Sequence, residues 1–226
     1  NCQIYNNLIT IDIQDSYFQN IDSLLYKSNI PVLLDDYKVD FSSLILINKD
    51  SINLSSLIKY GDSHLNLDVV QNINTLLISY ESDIHLRDFS SIPSYYSNID
   101  SVHMVGNVEL CATDSIFHKG LIDSDYGTLH FDANKIKGKE TNLMCDLIDL
   151  DLGFLLQQNR LGKMNATLSF QEKNNKLFNL NSNISNLFFN EYNYQNISIK
   201  ENPLFDSGMG YSINIDDPNL NLFAQY

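Results

Sequence analysis

The residues of this sequence that could do chemistry are five histidines, several paired acids and three cysteines. His64, His85, His103, His118 and His130 could act as acid–base groups or metal ligands if they converged. None stands in a His-Glu-x-x-His helix motif, and four fall on or beside the polar parity of an alternating segment, which points them at solvent. Carboxylates occur close together at Asp35-Asp36, Asp149/Asp151 and Asp216-Asp217. Such pairs work as acid and base when their surroundings split their pKa values. Adjacent residues of a strand face opposite ways, so Asp216 and Asp217 do not meet, and solvated turns account for these pairs. Asp123-x-Asp125-x-Gly127 has the opening of a calcium loop without its third acid or its distal Glu. There is no Gly-x-Ser-x-Gly elbow and no Gly-x-x-x-x-Gly-Lys-Ser/Thr loop, and Gly208-Met209-Gly210 reads as a turn. Asn-x-Ser/Thr triplets begin at Asn53, Asn165, Asn183 and Asn196, as expected in a chain rich in Asn and Ser. Cys2, Cys111 and Cys145 form no Cys-x-x-Cys motif. Cys111 and Cys145 are placed on the apolar parity of their segments as small buried hydrophobes, with a disulfide or metal role as the alternative. No catalytic, cofactor or metal residue is assigned, and the expectation is a protein that is not an enzyme.

Charge narrows the partners. The 226 residues carry 14 Lys+Arg against 28 Asp+Glu, a formal net charge of -14. A nucleic-acid binder needs a basic footprint, and an anionic lipid surface would repel this chain. Hydrophobic residues are 43% and charged ones only 19%, with uncharged polar residues, 29 of them Asn, filling the difference. The 12 Phe and 13 Tyr argue against disorder. No apolar run approaches the about 20 residues of a membrane-spanning helix. No signal peptide is visible at Asn1-Cys2-Gln3-Ile4, and the last residues are still alternating, so the chain reads as a piece of a longer protein.

The elements that must position any site follow from period-two alternation, the strand signal. Ile9, Ile11 and Ile13 share one parity, as do Leu65, Leu67 and Val69, and Leu76, Ile78, Tyr80, Ile84 and Leu86. The pattern continues with Val102, Met104, Val108 and Leu110, with Leu129, Phe131 and Ala133, and with Met164, Ala166, Leu168 and Phe170. It closes with Phe178, Leu180 and Ile184, then Ile197 and Ile199, then Tyr211, Ile213 and Ile215, then Leu220, Leu222 and Ala224. Turn residues separate these segments at 48–51, 123–127, 171–175 and 216–219. Helical spacing is scarce: Ser55–Tyr60, Phe89–Tyr96 and Asp151–Arg160 are the candidates, the last ended by Leu161-Gly162. The class is all-β, with roughly a dozen antiparallel strands, each with one apolar and one wet face, and one or two short helices. Few Gly and Pro and long regular meanders favour consecutive strands pairing side by side. A continuous apolar face of that kind must be covered by a second layer, by its own curvature or by a ligand.

The apolar-parity residues from Val102 to Leu222 named above could line a groove for acyl chains. Each CH₂ moved from water onto apolar surface gains ~0.8 kcal/mol, so a chain of roughly 16 carbons gains on the order of 10 kcal/mol. A smooth aliphatic lining suits a sliding ligand, because directional polar groups would hold it at one point.

Five stretches make residues 84–226 resemble the TamB/AsmA-like envelope proteins, the translocation and assembly module family, in the form typical of Bacteroidota. Ile84-His85-Leu86-Arg87-Asp88-Phe89 resembles the family's strand that ends in an acid and turns away, and Val105-Gly106-Asn107-Val108 the Gly-centred strand that follows. Leu152–Gly162 resembles the short helix before a new strand. Tyr192-Asn193-Tyr194-Gln195-Asn196-Ile197 is similar to a Tyr-x-Tyr-x-Asn-Ile strand start, and Asp216-Asp217-Pro218-Asn219-Leu220-Asn221-Leu222 to an Asp-Asp-Pro-Asn-Leu-x-Leu hairpin. Glu191 stands where the family has Gly, and Glu201-Asn202-Pro203 displaces a second Gly. Residues 1–83 match only in style. The resemblance implies a single segment, 1–226, of a longer β-taco protein: a long, curved, antiparallel sheet with an apolar concave face. It implies a place in the periplasm of a bacterial cell envelope, with an inner-membrane anchor outside this chain. The implied roles are lipid transport, with phospholipid acyl chains as the ligand, and outer-membrane biogenesis, with an outer-membrane β-barrel assembly protein as a partner. No catalytic residue carries over. The alternative from the residues alone is a β-rich interaction or adhesion module, with two facing sheets around a dry core and an aromatic patch at Tyr95, Tyr96, Tyr192 and Tyr194.

Overall fold

The computed structural model of the chain describes residues 2–5, 8–18, 39–47, 50–89, 99–138, 140–173, 176–202 and 210–225. Two compact units divide it, Asn1–Ala112 and Thr113–Tyr226. Each is an all-β antiparallel meander in which every strand pairs with its neighbours in sequence. The first unit holds β1 (Cys2–Tyr5), β2 (Leu8–Phe18), β3 (Val39–Ile47), β4 (Ser51–Tyr60), β5 (Ser63–Asn72), β6 (Thr75–Ile84), a 3-10 turn (Leu86–Asp88) and β7 (Val102–Cys111). The second holds β8 (Ser115–Ser124), β9 (Gly127–Ile136), β10 (Glu140–Asp151), α1 (Leu152–Leu155), β11 (Leu161–Lys173), β12 (Lys176–Phe189), β13 (Tyr192–Asn202), β14 (Gly210–Asp217) and β15 (Leu220–Gln225). In neither unit do the first and last strands pair, so neither closes on itself.

The alternation becomes these strands because each apolar parity meets an apolar parity across the ladder. In the first unit, Ile45, Leu54, Val69, Ile78 and Val108 are successive cross-strand partners. Ser55–Tyr60, expected as a helical turn, is part of β4 instead. Leu54, Leu57 and Ile58 have helical spacing, but the segment pairs residue by residue with β3 and β5, and the ladder overrides the local pattern. Of the Phe89–Tyr96 candidate, residues 90–98 lie outside the described residues, and the helical geometry seen is the 3-10 turn just before it. Asp151–Arg160 shrinks to α1, capped by the Asp151 carboxylate, which accepts from the Phe154 N–H at 2.9 Å. Its left-handed residue is Gln157 (φ 53°), and Leu161-Gly162 already belongs to β11. Gly162 is required by contact: a Cβ there would come within 2.7 Å of the Phe188 ring.

Two carboxylates tie turns down. In the first unit Asp88 Oδ2 accepts from the backbone N–H groups of Asp62 (2.9 Å) and Ser63 (2.8 Å) and from the Ser63 hydroxyl (2.7 Å). Burial alone would raise the Asp88 pKa; the Ser63 and Asp62 hydrogen bonds and nearby His85 together outweigh it and hold the pKa below 3.8. The turn it grips needs Gly61 at φ 60°, where a Cβ would strike the same carboxylate at 2.6 Å. In the second unit buried Asp217 accepts from the Tyr192 hydroxyl (2.7 Å) and from the N–H groups of Gln195 and Asn219 (both 2.9 Å). Burial opposes its ionisation, but these bonds and one from the Leu220 N–H hold its pKa low, while the bond to Asp217 pushes the Tyr192 pKa up. The β12–β13 hairpin turns through Asn190 (φ 50°) and Glu191 (φ 67°), so Glu191 occupies a left-handed position that suits Gly.

Among the described residues neither unit has a second sheet. Among the described residues the buried apolar side chains are Tyr60, Ile99, Ala166 and Ile197. A two-layer domain of this size would bury most of its inward-facing Leu, Ile and Phe; here most of them stay half-exposed.

Candidate functional site

The registers of the second unit gather the apolar residues into rows that run across the strands. Ile122, Leu129, Leu147, Ala166, Ile184, Ile197, Ile215 and Leu222 are successive partners on β8 to β15. Paired residues of an antiparallel ladder share a face, so this is one apolar stripe crossing eight strands. A second row joins Phe131, Cys145, Leu168, Ser182, Ile199, Ile213 and Ala224. A third joins His118, Ala133, Leu143, Phe170 and Leu180. Met164 lies in a fourth with Leu150, Leu187 and Tyr194. Tyr211 pairs with Glu201 and Leu220 with Asp217, both at the ends of β14. Phe178 belongs to β12, and its side chain lies outside the described residues. In the first unit Val102, Met104, Val108 and Leu110 share one face of β7 and pair with Ile84, Ser82, Ile78 and Leu76 of β6.

Every expected groove residue whose side chain is described thus lies on the apolar face of its own unit. Five Leu and Ile members of the second unit's rows have no place in the expected set: Leu150, Leu187, Leu147, Leu143 and Ile122. For Leu150 and Leu187 the reason is a spacing of three where strict alternation demands two or four. Leu147/Leu150 spans the left-handed Asp149 (φ 52°), where the β10–β11 register shifts. Ile184/Leu187 spans a shift between β11 and β12, and Tyr194/Ile197 spans the left-handed Asn196 (φ 52°). Each extra residue is a bulge that returns the apolar side chain to the same face. A three-residue step between apolar residues inside an otherwise alternating segment is the signal that would have found them.

The apolar rows are open in part and interrupted in few places. Ile213 is 38% exposed and Leu222 44%. Glu201, the partner of Tyr211, has one carboxylate oxygen enclosed without a hydrogen-bond partner among the described residues. The first unit's face is more broken: Ser43, Ser56, Ser63 and Ser82 are all buried there. Ser43 and Ser56 hydrogen-bond to each other, Ser63 to Asp88, and the Ser82 hydroxyl has no partner among the described residues.

Apart from His118 and Cys145, which stand in the apolar rows, the chemistry-bearing residues lie elsewhere. On the polar face of the first unit, Asp83 on β6 sits between His103 Nδ1 (2.8 Å) on β7 and His64 Nε2 (3.5 Å) on β5. Among the described residues no group of three or more His, Cys, Asp and Glu could hold a metal ion. Asp123 accepts a hydrogen bond from the Thr128 hydroxyl across the β8–β9 turn. His118 packs edge-on to Phe131 with centroids 4.8 Å apart. Cys145 stands in the apolar second row as expected, but Cys111 does not. It pairs with Thr75, on the face of β7 that carries Glu109, and its thiol lies 3.7 Å from the Glu109 carboxylate. Val102 to Leu110 occupy even positions, so residue 111 is necessarily on the opposite face. Both thiols are free. Burial and then the adjacent carboxylate, Glu109 or Asp146, push their pKa values up. Of the four tyrosines of the aromatic patch, Tyr192 and Tyr194 meet at 4.8 Å, and Tyr95 and Tyr96 lie outside the described residues. Among the described residues no helix is long and apolar enough to cross a membrane, a statement about helices alone.

Comparison with protein-family models, with curated proteins and with solved structures finds no match to this chain.

Proposed function

We propose that this chain is a non-catalytic segment of a bridge-like envelope protein whose apolar face carries the acyl chains of phospholipids. The observation that supports it most is the stripe from Ile122 to Leu222: eight apolar side chains, one per strand, with no polar residue among them. At about 4.8 Å between strands, the stripe extends for roughly 34 Å. Its members are aliphatic, so they offer contact area without a hydrogen bond that would fix a ligand at one point. At ~0.8 kcal/mol per CH₂, a fatty tail lying against such a row repays its removal from water. The family resemblance of residues 84–226 to the TamB/AsmA-like proteins points the same way. It adds the periplasm as the place, an inner-membrane anchor outside this chain, and outer-membrane biogenesis as the wider role.

The experiment that tests this reading uses the face. A photoreactive amino acid at Ile184, on the apolar row, is compared with one at Asn183, its neighbour on the polar face, in protein purified from a bacterial envelope or mixed with phosphatidylethanolamine vesicles. Phospholipid adducts are expected at position 184 and not at 183. Adducts at neither position, or equally at both, overturn the proposal.

A further inference from the structure

The opposite face of the second unit holds a second candidate site, one that does not depend on the lipid reading. On three adjacent strands the same triplet recurs: Asn165-Ala166-Thr167 on β11, Asn183-Ile184-Ser185 on β12 and Asn196-Ile197-Ser198 on β13. The middle residues are the apolar stripe already described. All three triplets line one depression of about 610 Å³, which His130, Asp146, Leu147 and Ile148 close on the β9–β10 side. That volume lies within the range of small-ligand pockets, about 300–1,000 Å³.

Thr167, Asn183 and Ser198 are direct cross-strand partners, and the row continues through Asn214 to Phe223 on β15. Phe223 is 61% exposed on this polar face. Part of the rim is committed to the fold: Thr167 donates to Asp146 at 2.8 Å, Asn165 bonds to Asp149, and Asn196 donates to the Asp216 carbonyl at 3.2 Å. Asn183 and Ser198, at the centre, have no side-chain hydrogen bond among the described residues and are open to a ligand.

We propose that this row binds an uncharged extended glycan laid across β11 to β15. Carboxamides and hydroxyls both donate and accept, as sugar hydroxyls do. The central row carries no charge, and Asp146, Asp149 and the net charge of -14 disfavour an anion. The strand spacing of about 4.8 Å offers one polar group per strand at an interval comparable with one pyranose unit of an extended chain. Phe223 ends the row as an exposed aromatic side chain, on which the C–H face of a sugar can stack.

The test is calorimetric titration of the whole chain with cellohexaose, chitohexaose and maltohexaose, and with inorganic sulfate as the anion. Binding of at least one hexasaccharide and not of sulfate is expected. Asn183→Ala and Phe223→Ala, both on exposed positions, should each weaken it at least tenfold with unchanged circular dichroism. Absence of hexasaccharide binding at millimolar concentration overturns the proposal, as does binding that both variants leave unchanged. Lipid adducts at Ile184 are scored separately, so failure here leaves the apolar face untouched.

Discussion

The two units are built on the same plan and differ in what interrupts their apolar faces. In the first unit the ladder from β3 to β7 runs without a register shift, and its apolar face is broken by Ser43, Ser56, Ser63 and Ser82. In the second the four rows hold one buried serine, Ser182, and the ladder absorbs extra residues near Asp149, Ser185 and Asn196. Bulges keep apolar side chains in phase at the cost of regular pairing. From β3 to β7 the first unit keeps regular pairing and accepts hydroxyls at inward positions, where each must find a partner or go without. A surface for a sliding apolar ligand is therefore better met by the second unit.

The comparison can be broken first in the second unit. Ile197→Ser places on its stripe the kind of residue that the first unit tolerates. Ile197 is buried between Ile184 and Ile215, which offer no hydrogen-bond partner. The loss is expected to be about 2–5 kcal/mol, read from chemical denaturation, as for other large-to-small changes at buried aliphatic positions. A loss below 0.5 kcal/mol would mean that the stripe is not part of what holds the unit together.

A smaller effect is expected at the turn clamp of the first unit. Asp88→Ala removes three hydrogen bonds from the β4–β5 turn. Solvent screening of the partly exposed carboxylate keeps the cost to roughly 1 kcal/mol. The Asp88 pKa is lower folded than its ordinary 3.8. Its contribution is therefore complete above that value and disappears as pH falls through the folded pKa. Acid titration of stability should be less steep in the variant than in the parent below pH 3.8; identical slopes would remove the clamp from the account.

The smallest change sharpens the comparison by moving the first unit toward the second. Ser82 is 1% exposed and its hydroxyl has no partner among the described residues. Ser82→Ala deletes the unsatisfied group and should raise stability by about 1 kcal/mol. A drop in melting temperature would show that the hydroxyl is satisfied after all.

Much of the fold was legible along the chain because alternation is local. Leu76 to Ile84, Val102 to Leu110 and Met164 to Phe170 announce their strands residue by residue, and Pro218-Asn219 announces the β14–β15 hairpin, whereas Leu86, on the same parity as Ile84, lies in the 3-10 turn. The misreadings come from places where a local rule had a rival. Leu54, Leu57 and Ile58 satisfy a helical spacing and a strand at once, and only pairing with β3 and β5 chooses. Leu161-Gly162 looks like a helix end, yet Gly162 is there because Phe188 covers it from the next strand. The candidate faces were legible as parities; the bulges at Asp149 and Asn196 were not, because a left-handed residue inside a strand leaves no mark except a spacing of three.

Local chemistry along the chain was enough to establish that this protein is made of antiparallel strands with one oily and one wet side, because side-chain direction in a strand depends on parity alone. Which oily residue stands beside which was decided by register, a property of two strands and not of one. Register aligned Ile122 through Leu222 into a single stripe and, on the reverse side, brought three separate Asn-x-Ser/Thr triplets around one hollow. Residues far apart in the chain become neighbours only when hydrogen bonds between strands fix their offset.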